Sequence, residues 1–197
     1  MIELKYEYLY NINKITKCII DSKMEDTEEI KVKNIFDIET GSCKNIAASK
    51  NEEFSIPVYG SKTKGSKEIG YSNQSKYKDS IIFSTRGVNA GNFNFILGEF
   101  DASHLCGVLV ASEKVYNNHY VATLLNKEAK KYVVDSGIGM MTNKDVKNIS
   151  IRLPKDKKII DSMAYILEEC NNLFNLLEEE IVKVKEIKKY YLNKIFN

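Results

Sequence analysis

The C-terminal stretch of the chain reads KDKKIIDSMAYILEECNNLFNLLEEEIVKVKEIKKYYLNKIFN (residues 155–197) and follows Pro154. Proline is tolerated just before a helix or in its first turn, and Asp156 is a suitable N-cap, so a long helix is predicted to begin here. Apolar residues recur in alternating steps of four and three, the heptad pattern of a coiled coil. The predicted dimerisation seam consists of Met163, Leu167, Cys170, Phe174, Leu177, Ile181, Val184, Tyr191 and Ile195, with Lys188 as its polar position.

A helix over residues 156–197 would be about 60 Å long at 1.5 Å per residue. A small domain cannot bury a seam of that length, so the seam requires a second helix, either from another chain or folded back from the same one. The alternative is that the helix lies along its own domain. The persistence of the repeat over more than four heptads favours a coiled coil.

The N-terminal segment, from about Ile2 to Met24, predicts a shorter amphipathic helix. We expect residues 1–24 to pack on the coil, because a helix with one apolar face needs a partner surface. The residues of that face recur at three- and four-residue steps and are Leu4, Tyr8, Ile12, Ile15 and Ile19.

The middle of the chain has the pattern of a mixed domain. All ten glycines lie between Gly41 and Gly139, so turns are concentrated there while both flanks favour helix. One helix is predicted over residues 118–132, with Tyr120, Leu124 and Leu125 on its inner side. The fold class is therefore α+β: a globular mixed α/β domain over residues 25–154, followed by a long coiled-coil helix over 155–197 and preceded by the short N-terminal helix. Strand-like runs occupy residues 55–59, 80–84, 94–97, 107–111 and 148–153.

Composition excludes several classes of protein. Hydrophobic residues make up 43% and charged residues 28% of the chain, as is usual for a soluble globular protein. No apolar run approaches the roughly 20 residues of a membrane span, and the acidic start does not resemble a signal peptide, so we expect a cytoplasmic protein without membrane contact. Residues 30–154 contain seventeen basic and twelve acidic side chains. The surplus positive charge is therefore predicted to lie on the globular domain.

Motifs for catalysis or metal binding are weak. The four cysteines, which include Cys18, form no CxxC pair, so their spacing predicts neither a zinc site nor a disulfide framework. His104 and Cys106, with Asp101 nearby, could form a nucleophile and base pair, as could His119. No elbow motif or oxyanion loop accompanies them, and ordinary packing and surface roles are favoured. The sequence predicts a non-catalytic chain with no metal or cofactor of its own.

One loop is suited to binding a polyanion. Residues 59–78, YGSKTKGSKEIGYSNQSKYK, carry five lysines against the single acid Glu68. Lysines neutralise phosphates, small residues allow close backbone approach, and amide side chains can pair with base edges. The alternative is a solvated surface loop, which composition alone favours. The candidate DNA-binding residues of this loop are Ser61, Lys62, Lys64, Lys67, Tyr71, Asn73, Lys76 and Lys78.

A second candidate is STRGVNAG (residues 84–91), in which a strand ends in a turn that bears Arg86 and Asn89. Arginine is the commonest side chain in specific base contacts, and asparagine pairs with adenine. Arg86 could instead pair with a structural carboxylate. The residues alone do not decide between the two interpretations.

Six segments, taken together and in order, resemble the specificity subunit of Type I restriction-modification systems. Each segment alone is weak, but six in order, followed by a heptad helix after Leu-Pro, are specific. The resemblance covers roughly residues 30–197. The segments are VKNIFDIETGS (32–42), IPVYGS (56–61), IGY (69–71), SIIFSTRGVNAG (80–91), SGIGM (136–140) and ISIRLP (149–154).

The resemblance implies a non-catalytic subunit whose target recognition domain reads one half of a split site in double-stranded DNA. Long helices would act as a spacer and dock methyltransferase subunits. S-adenosylmethionine would be held by those methyltransferase subunits, and ATP would be used by a separate restriction subunit. Base-contacting residues differ with the target in such a family, so only loops are assigned here.

This chain departs from the family's full-length pattern, because it has room for one recognition domain and one long helical region where that pattern has two of each. We expect a half subunit that pairs with a second copy of itself and reads an interrupted palindrome. A fragment of a larger subunit is the alternative. Two other functions remain open at this point: a recognition and spacer unit of a Type II-like restriction-modification enzyme, and a coiled-coil adaptor that binds no DNA.

Overall fold

The computed structural model describes residues 7, 8, 10–12, 14, 15, 17, 18, 26–61, 68–133 and 139–196. The chain forms two compact units. One comprises Met24–Asp161, which we call the globular unit, and the other comprises Met1–Lys23 together with Ser162–Asn197, which we call the helical unit. The protein thus has a mixed α/β fold with a long C-terminal helix, as the sequence predicted.

The described part of the globular unit contains two sheets and two α-helices between its strands. The strands are β1 (Thr27–Lys31), β2 (Phe36–Thr40), β3 (Ile56–Tyr59), β4 (Gly70–Ser72), β5 (Tyr77–Ser84), β6 (Phe93–Ala102), β7 (Cys106–Ala111) and β8 (Ser150–Pro154). The helical residues described between 7 and 18 are called α1. The other α-helices are α2 (His119–Ala129), α3 (Asn143–Asn148) and the long α4 (Lys157–Phe196). Short 3₁₀ helices lie at Val32–Asn34 and Lys114–Tyr116.

The larger sheet has six strands in the order β2-β7-β5-β6-β3-β4, and β1 pairs with β8 in a separate two-stranded sheet. All pairs are antiparallel except β3 with β6. Residue Ile82 of β5 faces Val108 of β7 on one side and Asn94 of β6 on the other. Strand β5 is therefore an inner strand of the sheet, paired on both sides, and the turns at its two ends are held by its neighbours β6 and β7.

A bulge bends the hairpin of β5 and β6. The register shifts between Lys78 and Ser80, and Asp79 has a φ of 44° while Gly98, opposite it, has a φ of 85°. The Asp79 carboxylate accepts a hydrogen bond from the Gly98 N–H at 2.8 Å and so holds the bulge. Bulges of this kind increase local twist and allow a sheet to curl.

The curl brings the two ends of β5 onto one closed surface. Tyr77 at its start pairs with Phe100, and Ser84 at its end pairs with Cys106. In straight strands Ser103, three residues beyond Phe100, would lie about 33 Å from Ser84. In the structure the N–H of Cys106, which faces Ser84, donates to the Ser103 carbonyl at 3.0 Å. The second half of β6 therefore turns back across the end of β5.

The curled sheet encloses an apolar core. Phe83 stacks on Phe93 with ring centroids 5.2 Å apart, and a Cβ at Gly107 would lie 2.1 Å from the Phe83 ring. Gly107 is therefore required for that ring to lie flat across β7. One cluster of buried side chains in this core comprises Tyr59, Tyr77, Ile82, Ile96, Phe100, Ala102, Cys106 and Val108.

Helix α2 closes one side of the core. Its N-cap Asn118 accepts a hydrogen bond from the Val121 N–H at 2.8 Å. The Asn126 side chain accepts from the Phe93 N–H and donates to the Phe93 carbonyl, at 2.8 and 2.7 Å, and so ties the helix to the start of β6. The predicted inner residues Tyr120, Leu124 and Leu125 are buried, as expected.

Helix α4 begins at Lys157, where the Asp156 carboxylate accepts from the Lys158 N–H at 2.9 Å, as its predicted N-cap role requires. Leu167 and Ile181 of the seam are buried, at 2% and 5% exposure, whereas Tyr191 is exposed. Ile195 belongs to α4, but its side chain is not among those that the structure describes. The remaining apolar seam residues are half-buried, and they are Met163, Cys170, Phe174, Leu177 and Val184.

The N-terminal segment belongs to the same compact unit as most of α4, so part of the seam is covered within the chain. Ile12 of α1 is buried, as predicted. Tyr8 and Ile15 are 54% and 50% exposed in the single chain, so their place on a face packed against a second coil stays a prediction. Leu4 and Ile19 lie outside the described residues.

Four elements were missed by the sequence reasoning, namely β1, β2, β4 and α3. Three of them are short or charged: β1 reads TEEIK, β2 reads FDIET and β4 has three residues. The strand predicted over residues 148–153 begins at Ser150, because a capping box at Thr142 and Asp145 starts α3 and Asn148 ends it. Among the helices that the structure describes, none has the length and apolar content of a membrane span.

Candidate nucleic-acid interface

The turn that joins β5 to β6, residues 85–92, is held in one conformation, and we call it the Arg86 turn. Within it the N–H of Ala90 donates to the Gly87 carbonyl at 2.9 Å, and that of Asn92 to the Asn89 carbonyl at 3.0 Å. Gly87 and Gly91 have φ values of 87° and 78°, a region in which side chains are strained. The two glycines therefore allow a tight turn between two long strands.

Two neighbouring segments anchor the turn from either side. The Asn89 amide donates to the Ser61 carbonyl at 3.1 Å, and the Gly87 N–H donates to the Gly139 carbonyl at 2.9 Å. The Met141 N–H also donates to the Thr85 carbonyl at 2.9 Å. Segments that are far apart in sequence, at residue 61, residues 85–92 and residues 139–141, thus meet at one edge of the globular unit.

Arg86 presents its guanidinium at this edge. Its side chain is exposed, and its backbone forms a bridge with Met140. No carboxylate among the described residues forms an ion pair with it. The structural-acid interpretation of Arg86 therefore finds no support within the part of the chain that the structure describes.

A cleft of about 300 Å³ lies beside the Arg86 turn. His104 in its lining is exposed, and Asn143, also in the lining, donates to the Thr40 hydroxyl at 3.3 Å. An arginine, a histidine, hydroxyls and an amide can together donate to phosphate oxygens or to acceptors on base edges. The cleft is lined by Thr40, Thr85, Arg86, His104, Leu105, Met140, Met141, Thr142 and Asn143.

Sequence reasoning did not assign His104 or Asn143 to this surface. His104 follows β6 and comes near Arg86 only because Ser84 pairs with Cys106. Asn143 is the first residue of α3, an element that sequence reasoning missed. No local pattern of residues indicates either placement, since both depend on strand pairing over long sequence separations.

The lysine-rich loop is only partly described. Lys62, Lys64 and Lys67 lie outside the described residues. Ser61 is half-buried and its carbonyl is an anchor for the Arg86 turn, accepting also from the Ser84 hydroxyl at 3.4 Å. The DNA-binding roles of Ser61 and of these three lysines stay predictions.

The residues that follow in the same loop differ in their surroundings. The Tyr71 hydroxyl donates to Glu68 at 2.9 Å, a bond that raises the pKa of Tyr71, and Asn73 is exposed. Lys76 lies 3.1 Å from the Glu39 carboxylate and 4.9 Å from the centre of the Tyr77 ring. The hydrogen bond with Tyr77 is the largest cause that raises the pKa of Lys76, and the hydrogen bond with Glu39 is the second.

Lys78 is exposed near the start of β5, close in sequence to Lys76. Arg86 and Asn89 follow the other end of that strand. The structure therefore brings Ser61, Arg86 and Asn89 together but places Lys76 and Lys78 at the opposite end of β5.

The alternative site built on cysteine and histidine has little support. Cys106 is 1% exposed, and burial raises the pKa of its thiol to about 11, so it is a packed, unreactive thiol. The His119 ring packs edge-on against Phe95 with centroids 5.1 Å apart. Within the described ranges, no group of three or more His, Cys, Asp or Glu side chains is arranged to hold a metal ion.

Comparison with known proteins gives consistent results. Residues 24–186 match the model of the Type I restriction modification DNA specificity domain. The specificity subunit of the Type I restriction enzyme MpnII of Mycoplasma pneumoniae is 29% identical over 195 residues, which are 97% of this chain and 58% of that subunit. A second M. pneumoniae relative, named as a candidate type I specificity subunit, is also 29% identical over 195 residues and is covered over 81% of its length.

A crystal structure of a Type I restriction-modification S subunit from M. genitalium has the same fold. It superposes with a TM-score of 0.69 at 16% identity and matches 98% of this chain and 57% of its own chain. A third M. pneumoniae relative, 28% identical over 168 residues, is covered over only 46% of its length. The chain thus spans about half the length of several proteins that it matches.

Proposed function

Because the chain belongs to the Type I restriction modification DNA specificity domain family, we propose that its globular unit reads one half of a split duplex DNA target. The observation that carries the proposal is the edge at which Ser61, the Arg86 turn and residues 139–143 meet. This edge presents an exposed guanidinium beside a cleft lined by both polar and apolar side chains. No carboxylate of the described residues neutralises that guanidinium.

The Arg86 turn has a shape that suits a DNA groove. It joins two antiparallel strands, and the major groove, about 12 Å wide, admits a two-stranded ribbon. Arg86 can donate two parallel hydrogen bonds to guanine, while His104 and Asn143 at the cleft can donate to phosphates or bases. Hydrogen bonds from Gly87 and Asn89 to neighbouring segments fix the turn before DNA arrives, which lowers the entropic cost of binding.

We propose that this chain supplies recognition and that partner subunits supply the chemistry. Methyl transfer from S-adenosylmethionine and ATP-dependent cleavage would then belong to methyltransferase and restriction subunits. The buried thiol of Cys106, with its raised pKa, is consistent with a chain that is not a thiol enzyme. Membership of the family, whose specificity subunits are the recognition part of the system, supports this division of roles.

The helical unit would carry the assembly contacts. Outside the partly covered seam, α4 exposes Ile166, Leu173, Leu176, Ile187 and Tyr190, at 41% to 62% exposure. These positions are spaced by three, seven or eleven residues, so they follow one side of the helix. Since the chain spans 57% of the S subunit from M. genitalium, two copies joined by this apolar side would provide two recognition units.

The decisive experiment is to map methylated adenines in a host that carries the gene with its methyltransferase partner. The expected result is a split motif whose two halves are inverted repeats. A motif with two different halves would exclude the homodimer, and the absence of any motif would exclude the DNA-reading function. A coiled-coil adaptor would leave the methylation pattern of the host unchanged.

Dimerisation has its own test. Light scattering of the purified chain at micromolar concentration is expected to give twice the mass of one copy. The double substitution Leu173→Glu and Leu176→Glu should give one copy, because two charges would then lie on the apolar side. A wild-type monomer would contradict the paired form. The matched control is Asn171→Glu with Asn175→Glu, two exposed positions off this side of the helix, which should leave the dimer intact.

A further inference from the structure

The tip of the Arg86 turn exposes an aliphatic side chain completely. Val88 has 104% of its reference surface accessible to solvent. It lies two residues after Arg86 and directly before Asn89, at the edge where the segments of the proposed interface meet. Val88 therefore adds no buried surface to the fold of the globular unit.

The backbone around Val88 is fixed, which separates it from an ordinary exposed residue on a loop. The preceding Gly87 donates its N–H to Gly139, and the following Asn89 donates its side-chain amide to Ser61, at 2.9 and 3.1 Å. Valine is also restricted at χ1. A rigid turn thus holds a rigid apolar side chain in solvent, the arrangement that loses least entropy when a ligand covers it.

We propose that Val88 reads one base pair of the target through contact with the 5-methyl group of thymine in the major groove. Valine has no hydrogen-bond donor or acceptor, and the thymine methyl is the one apolar group that base edges present in that groove. A contact of this kind specifies a base pair without a hydrogen bond. The inference rests on the proposed DNA-reading function and adds a specificity-determining residue to it.

The test uses the chain assembled with its methyltransferase subunits and synthetic duplexes of the mapped motif. In a series of duplexes, deoxyuridine replaces each thymine in turn, which removes the methyl group and keeps every hydrogen-bonding group. The expected result is that replacement at one particular thymine of the half-site weakens wild-type binding about fourfold, which is the effect of one buried methyl group. Replacement at the other thymines should have little effect. With Val88→Ala, replacement at that particular thymine should change binding by less than about twofold, because the two terminal methyl groups of valine, which reach the thymine methyl, are removed.

Leu97→Ala is the matched control. Leu97, like Val88, is an exposed aliphatic residue, but it lies within β6 and away from the Arg86 turn. This variant should retain the fourfold sensitivity to deoxyuridine. Wild-type protein that prefers its motif but tolerates every deoxyuridine would overturn the inference and leave the proposed function intact. Retention of the sensitivity by Val88→Ala would also overturn it. Failure of wild-type protein to prefer any motif would instead overturn the proposed function.

Discussion

The two ends of β5 both carry basic side chains, but the structure treats them differently. At the start, Lys76 lies 3.1 Å from Glu39 and over the Tyr77 ring. Beyond the end, Arg86 is exposed beside a cleft of mixed polar and apolar lining, with no carboxylate partner among the described residues. Lys76 forms an ion pair within the globular unit, whereas the Arg86 guanidinium is available to a ligand.

This difference shows why a count of lysines does not locate a DNA-binding surface. The partner of Lys76 lies 37 positions earlier in the chain, and it arrives there because β2 pairs with β7 and β7 with β5. Charge in the sequence is therefore only an upper limit on charge available to DNA. The four predictions below test this comparison of the two ends.

The largest effect is expected from Gly107→Ala, because both ends depend on the strand between them. The new Cβ would lie 2.1 Å from the Phe83 ring, which already stacks on Phe93. Overpacking of this kind should lower the free energy of unfolding by about 3 kcal/mol. Urea denaturation followed by circular dichroism measures it.

Gly87→Ala is the control for that substitution. Nothing lies within 4 Å of a Cβ at Gly87, so only its φ of 87° is unfavourable and the loss should be about 1 to 2 kcal/mol. An equal loss at both glycines would mean that the Phe83 ring moves aside easily. The central strand would then not set the two ends rigidly.

The next largest effect is on DNA binding. Arg86→Ala should weaken binding of the methylation motif about tenfold or more, since a bidentate arginine contact contributes roughly 1 to 3 kcal/mol. Lys76→Ala should change it by less than about twofold, because Glu39 already pairs with that lysine. Fluorescence anisotropy with a labelled duplex, in the presence of the methyltransferase subunits, measures both.

The reverse order, with Lys76→Ala more harmful than Arg86→Ala, would place the DNA at the start of β5. Salt dependence refines the result. Loss of a phosphate contact lowers the slope of log affinity against log salt by about 0.9, whereas loss of a base contact relaxes one position of the motif.

Much of the fold was predictable because it depends on local pattern. The heptads of α4, the cap at Asp156 and the inner face of α2 follow from residues a few positions apart. The strands β1 and β2 were missed because each is rich in charged or polar residues, TEEIK and FDIET, and owes its place to pairing with β8 and β7. Tertiary pairing overrides weak local propensity in such strands.

The candidate site was less predictable for the same reason. Arg86 and Asn89 were proposed because a strand followed by a glycine-rich turn is visible in sequence. The structural role of the Asn89 amide, which donates to Ser61 28 residues away, is not visible there. Nor is the approach of His104, which requires the bent β6 to return beside Ser84.

A smaller effect is expected from Asn89→Ala. The substitution removes the 3.1 Å hydrogen bond to the Ser61 carbonyl, which is part-buried. Stability should fall by about 1 kcal/mol, the usual contribution of such a bond. Thermal unfolding measures this loss, and Asn73→Ala, at an exposed asparagine of the lysine-rich loop, should cause almost none. A similar loss at both positions would argue that the anchor between the turn and Ser61 is not formed in solution.

The smallest effect is expected from Glu39→Gln at the other end of β5. Both members of the Lys76–Glu39 pair are 45% exposed, so the loss of stability at neutral pH should be about 0.5 kcal/mol. The hydrogen bond with Tyr77 and, after it, the one with Glu39 raise the pKa of Lys76 above its usual 10.5, so the pair with Glu39 stabilises the fold fully below that pH. The contribution disappears as pH rises through the raised pKa, because lysine then becomes neutral.

Unfolding of wild type and Glu39→Gln at neutral pH and again above pH 10.5 should therefore show a small difference that closes as the solution becomes alkaline. DNA affinity should remain within about twofold of wild type, since freeing Lys76 adds at most one screened charge far along β5 from the Arg86 turn. A gain of tenfold or more in affinity would show that Lys76 faces DNA once released. The contrast between the two ends would then reflect the Glu39 pair alone and not the position of the cations on the strand.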